Sequence, residues 1–111
     1  MGRQVVRGLE YINYLENNWG RIAERVKGVA ERLGKVHKVI VFGSVVKGKV
    51  TGSSDLDIAI FYDEELTDKE KVRRALEILN EVDEEVIIDV QVLSKSEEDF
   101  FLKFVKEYIE V

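Results

Sequence analysis

The chain has no cysteine and no proline, and only one histidine and one tryptophan among its 111 residues. Without cysteine there are no disulfides, no thiolate metal sites and no cysteine nucleophile. His37 stands alone in an apolar segment, where a packing or edge role is expected rather than a catalytic one. No apolar run approaches the roughly 20 residues of a membrane span, so no membrane association is predicted. The N-terminus carries Arg3, Arg7 and Glu10 among its apolar residues and lacks the uninterrupted core of a signal peptide, which makes the cytoplasm the expected location. Positive charge is also in short supply. With 17 Lys and Arg against 22 Asp and Glu, the net charge is -5, which argues against stable binding of long nucleic acid through a general basic field. A single nucleotide carried in with its metal ions is compatible with that balance.

What is present is a globular composition, 45% hydrophobic and 35% charged, of a length that fits one domain spanning 1–111. Apolar residues at Val5, Leu9, Ile12, Leu15 and Trp19, then Ile22, Val26, Val29 and Leu33, recur every three to four positions and predict amphipathic helix. Asn17, Asn18 and Gly20 predict a break, giving helices near 3–17 and 19–33, with 1–18 as a helical extension and Gly34 as a left-handed closing residue. Lys35 to Phe42 predicts a first strand, and Asp55 to Tyr62 a second. Thr67-Asp68-Lys69-Glu70 has the form of a capping box, and Val72, Ala75, Leu76 and Leu79 carry a helical stripe to about Val82. Glu85 to Leu93 predicts a third strand. Ser94 or Ser96 caps a final helix bearing Phe100, Phe101, Phe104 and Val105, and Tyr108 to Val111 turns back as a short edge strand. The order predicts an α/β (α+β) fold with a small mixed sheet, in which the 67–82 helix is a crossover laying its two strands parallel and adjacent.

The chemistry concentrates between Val39 and Tyr62. Asp55 and Asp57 alternate with Leu56 and Ile58, so both carboxylates share one face of a strand, with Cα atoms roughly 6.5 to 7 Å apart. Such a pair suits Mg²⁺, which takes oxygen ligands, or a pair of ions about 3.5 to 4 Å apart. Asp89, an acid within an apolar run, joins them if its strand lies alongside, and three acids so close call for cations between them. Gly43 allows close backbone approach, Ser44 offers a hydroxyl for phosphate oxygens, and Lys47 and Lys49 are near enough in sequence to neutralise charge. Gly43 to Lys49 also satisfies the first seven positions of a P-loop. Val50 replaces the Ser or Thr required at the eighth, and the following segment leads to a strand, so the P-loop reading fails. Tyr11, Tyr14 and Trp19 are read as core, with a docking surface as the alternative. The Glu81, Asp83, Glu84, Glu85 cluster is read as a solvated turn.

With these residues assembled, the chain resembles a minimal nucleotidyltransferase domain of the DNA polymerase beta superfamily, the group that includes antitoxins paired with HEPN-domain toxins. The resemblance rests on Gly43-Ser44, the ten residues Val45 to Ser54, Asp55-Leu56-Asp57, and Asp89 in IIDVQVL. Gly48 stands where the family commonly has glycine, and the closing KEYIEV has Tyr108 where the family usually has glycine. The likeness runs from about Trp19 to Val111. It implies that Asp55, Asp57 and Asp89 are catalytic and hold two Mg²⁺ ions, that Gly43 and Ser44 bind phosphates, and that Asp89 helps deprotonate the acceptor. It further implies transfer of a nucleoside monophosphate, AMP from ATP or another NTP, to a hydroxyl of a protein partner, a HEPN toxin foremost. The alternatives are a binding module that neutralises its partner by stoichiometric contact and a nucleotidyltransferase acting on a small molecule. Homo-oligomerisation is left open.

Overall fold

The computed structural model describes residues 2–111, and side chains from residue 8 onward; Val5 of the predicted stripe lies outside those side chains. The chain opens with one 32-residue helix, α1 (Gly2–Leu33), where the sequence predicts two. Asn17, Asn18 and Gly20 cost the helix about 1 kcal/mol or less apiece in propensity, and packing on both sides outweighs that. Leu15 and Ile22, which bracket the weak stretch, are both fully buried, as are Ala23, Val26 and Ala30. Asn18 also stays within the helix, donating its side-chain N–H to the Tyr14 carbonyl at 2.8 Å. Leu9, in the predicted stripe, is exposed.

Gly34 closes α1 without the predicted left-handed backbone, since only Gly43 and Gly48 have positive φ among the described residues. Its missing Cβ serves close approach instead. A side chain there would collide with the Glu64 carboxylate and the Arg74 guanidinium, which pair through two hydrogen bonds of 3.0 Å.

β1 (Val36–Phe42) follows, then a short helical turn α2 (Ser44–Lys47) and β2 (Leu56–Tyr62). α3 (Asp68–Glu81) crosses to β3 (Ile88–Ser94), a 3₁₀ turn leads into α4 (Glu98–Phe104), and β4 (Tyr108–Glu110) ends the order. The sheet runs β3-β2-β1-β4. β2 and β3 are parallel, as the crossover predicts, while β1 is antiparallel to both β2 and β4. The fold is therefore α+β with a four-stranded mixed sheet. Leu56, Ile58, Ile60 and Tyr62 pack with Val39 and Val41 beneath α1 and α3. Ile40, Ala59 and Phe61 form the opposite core beneath α4, where Phe101 meets Phe42 and Phe61 edge-on at 5.5 and 5.6 Å. With both faces covered, β2 is almost wholly buried, and its position is set by packing from two sides.

The capping box of α3 is present: Glu70 N–H donates to the Thr67 hydroxyl, and Thr67 N–H donates to the Glu70 carboxylate. The predicted stripe is rotated, however. Val72, Leu76 and Leu79 face outward, and the packed face carries Lys71, Arg74, Ala75, Ile78 and Val82. Lys71 and Arg74 are mostly buried because Glu97 and Glu64 neutralise them, and Arg74 also lies 4.5 Å over the Tyr62 ring. Paired cations on the packed side hid it from hydrophobic periodicity. β3 begins at Ile88, three residues later than predicted: Glu85 and Val86 form a bend, and Ile87 N–H donates to the Tyr11 hydroxyl at 3.2 Å instead of to a strand.

Tyr11, Tyr14 and Trp19 are half-buried against the core, which supports their core reading over docking. Tyr14 donates to Glu84 at 3.1 Å. Glu84 also accepts from Arg21 and Arg25, and its side chain is only 5% exposed, so it is an anchor between α1 and the α3–β3 connection rather than part of a solvated turn. The Arg21 hydrogen bond, helped by Arg25 and Tyr14, pulls Glu84 down from 4.5 to about 2. A carboxylate depressed in this way stabilises the fold above its unfolded pKa and loses that contribution as pH falls through the folded one. Glu84→Gln is expected to cost about 2 kcal/mol at neutral pH. Denaturant unfolding across the acid range should show the gap to wild type closing between pH 4.5 and about 2; a gap unchanged at the lower limit would mean that charge pairing is not its source.

Candidate active site

The site forms where three strands meet at one end of the sheet. Asp57 is the second residue of β2 and Asp89 the second of β3, and the parallel register pairs the two directly. Asp55 stands just ahead of β2. Carboxylate oxygens of Asp55, Asp57 and Asp89 lie within 4.8 Å of one another, with Asp55 and Asp57 half-buried and Asp89 exposed. Burial first, then the charges of Asp89 and Asp55, push Asp57 up to about 6. The donor set is all oxygen, without histidine or cysteine, and so fits a hard divalent cation of the Mg²⁺ type.

Gly43 follows Phe42, the residue that pairs with Asp57 across β1 and β2. Its φ of 83° lies in the left-handed region, and a Cβ there would run into the Asp57 carboxylate. Glycine is thus required twice over, by backbone conformation and by the acid it adjoins. Ser44 begins α2 and Lys47 ends it, exposed, before Gly48 closes the turn at φ 68°. This turn of helix is absent from the sequence reading; four residues are too few to show helical periodicity. The structure brings Gly43 against Asp57, one of the three acids, with Ser44 next in the chain. Lys47 stands three residues further on, at the far end of the turn.

Residues 51–54 form a hydroxyl-bonded turn rather than a loose link. Thr51 N–H donates to the Ser54 hydroxyl at 2.8 Å, and Ser54 N–H donates to the Thr51 carbonyl at 3.2 Å. The Ser54 carbonyl accepts from Tyr11 at 2.6 Å. Tyr11 is the residue near the site that local sequence gives no means of finding, since its partners lie 43 and 76 positions away. His37 lies toward the other end of β1, bonded to Glu98 at 3.1 Å, and takes no part.

The sequence model of the family described as polymerase beta, nucleotidyltransferase matches residues 24–111. No curated protein matches the chain in sequence. Among solved structures, a candidate nucleotidyltransferase from Sulfolobus solfataricus superposes with a TM-score of 0.58 at 20% identity, over 85% of this chain and 82% of that one. A toxin–antitoxin structure with AMP-PNP gives a TM-score of 0.58 at 18% identity, over 79% of this chain and 70% of the other. A further candidate nucleotidyltransferase gives 0.54 at 21%, over 79% and 95%. At such identities these likenesses establish the fold.

The raised pKa of Asp57 has a consequence for stability. The folded protein holds this proton more tightly than the unfolded chain, so ionising Asp57 subtracts stability as pH rises from 3.8 through about 6. Asp57→Asn removes that cost. In metal-free buffer at pH 8 the variant is expected to be more stable by about 1 kcal/mol, the full conversion being reduced for a partly exposed group, with no gain at pH 3. Added Mg²⁺ should raise the melting temperature of wild type alone; equal responses in both proteins would mean that Asp57 binds no metal.

Proposed function

This chain belongs to the polymerase beta nucleotidyltransferase family, and from that premise we propose that it transfers AMP from ATP to a hydroxyl of a protein partner, a HEPN-domain toxin. The observation that carries the reading is the meeting of Asp55, Asp57 and Asp89 within 4.8 Å, against a glycine that the geometry requires. The likeness to a toxin–antitoxin structure with AMP-PNP, an ATP analogue, supports both the nucleotide and the class of partner.

In this reading the three aspartates hold two Mg²⁺ ions. Held there, such ions would offset triphosphate charge and favour an in-line displacement at phosphorus. Gly43 lets its backbone approach the phosphates, the Ser44 hydroxyl donates to a phosphate oxygen, and Lys47 adds positive charge at the rim. Asp89, the most exposed of the acids, accepts the proton of the acceptor hydroxyl. That oxygen then bonds to the α-phosphorus as the bond to the β-phosphate bridging oxygen breaks, and pyrophosphate leaves.

A second reading, neutralisation by stoichiometric contact, is favoured by a different observation. Phe100 and Phe104 on α4 are 67% and 73% exposed, with ring centroids 5.2 Å apart. Two adjacent aromatic rings in water are unusual without a partner to cover them.

Incubation with the partner, Mg²⁺ and ATP labelled in the α-phosphate separates the two. Label should pass to the partner with wild type and fall about a hundredfold or more with Asp57→Ala. Absence of label with wild type, or undiminished label with the variant, would defeat the catalytic reading. If the Asp55→Ala, Asp57→Ala double variant still neutralises the partner while a Phe100→Ser, Phe104→Ser double variant does not, contact is the mechanism.

A further inference from the structure

The Tyr11 hydroxyl lies between the two backbone segments that deliver the acids. It donates to the carbonyl of Ser54, immediately before Asp55, at 2.6 Å. It accepts from the N–H of Ile87, two residues before Asp89, at 3.2 Å. The ladder itself opens with the bond from Leu56 N–H to the Ile87 carbonyl at 2.8 Å. Tyr11 is itself held by α1, which is fixed by fully buried Leu15 and Ile22 and by the Arg21, Arg25 and Tyr14 contacts to Glu84.

Three carboxylates of one sign push their carriers apart. Asp57 and Asp89 are restrained by the strand ladder, but Asp55 precedes β2, and the segment up to Ile87 precedes β3. A hydroxyl that donates to one segment and accepts from the other opposes that separation where the ladder has not begun. Phenylalanine fills the same space and can do neither. From this geometry we infer that Tyr11 is a positioning residue of the nucleotidyltransferase site, setting the distance between Asp55 and Asp89 so that the acids bind divalent cations as a group. The inference rests on the metal-site reading above. It assigns a role to a part of α1 that lies ahead of the family match at residue 24.

The test uses the free protein and needs no acceptor. Mn²⁺ binding is titrated for wild type, Tyr11→Phe, Tyr14→Phe and Asp57→Asn, with melting temperatures taken alongside. Tyr14 serves as the matched control: it lies one turn along the same helix and bonds Glu84, which keeps Arg21 and Arg25 without it. Tyr11→Phe is expected to bind Mn²⁺ about tenfold more weakly, corresponding to about 1.4 kcal/mol. Tyr14→Phe should lose stability to a similar extent but bind like wild type. Amide hydrogen exchange without metal gives a second readout. In Tyr11→Phe it should quicken around 54–57 and 87–89 and stay unchanged at Ile58–Phe61. Wild-type Mn²⁺ affinity in Tyr11→Phe, or equal losses in both tyrosine variants, would overturn the inference and leave the metal site standing. Wild type that binds no Mn²⁺, or Asp57→Asn that binds it as well, would defeat the site itself and this inference with it.

Discussion

Like charges within 4.8 Å of one another will separate if their supports can relax, so the arrangement depends on supports that cannot. Asp57 and Asp89 are fixed by the parallel backbone ladder between β2 and β3, where slipping by one residue would turn the buried side chains of a strand to its other face. That ladder depends in turn on a buried β2, packed by α1 and α3 on one face and by Phe101 of α4 on the other. The tight fit of Gly43 against Asp57 follows from the same rigidity. Because neither strand yields, the residue beside the carboxylate must lack a side chain.

Much of this was legible in the chain. Period-two alternation puts Asp55 and Asp57 on one face, and the handedness and length of a crossover helix bring Asp89 beside them. Both inferences depend on local rules that tertiary packing has no reason to override. The failures occur where packing or pairing outvotes local preference. Asn17, Asn18 and Gly20 look like a helix end and are carried through by buried neighbours. Lys71 and Arg74 look like a solvated face, yet they point inward because Glu97 and Glu64 meet them. Glu84 looks like a turn residue and is an anchor for the same reason. The link from Tyr11 to Ser54 and Ile87 joins residues far apart in the chain, and no pattern within any single window encodes it.

Charge is distributed unevenly. Glu64, Glu84, Glu97 and Glu98 each have a cationic partner, and these pairs tie α4 to β1 and hold α1 and α3 to the connections beside them. Among the described residues, no salt bridge includes Asp55, Asp57 or Asp89. Several lysines and arginines are thus engaged in the supports, while the most crowded acids have no salt-bridge partner among the described residues. An all-oxygen cluster of this kind suits an external cation.

The long first helix also separates two boundaries, one of sequence likeness and one of packing. The family match begins at residue 24, yet Leu15, Ile22 and Ala23 ahead of it are completely buried. Residue 24 therefore marks where sequence likeness begins, not where the buried core does. A fragment starting there would expose the apolar sheet face beneath α1 and release the hydrogen bonds of Tyr11 and Tyr14. In this protein the packed core reaches further toward the N-terminus than the stretch that the family's sequence model makes recognisable.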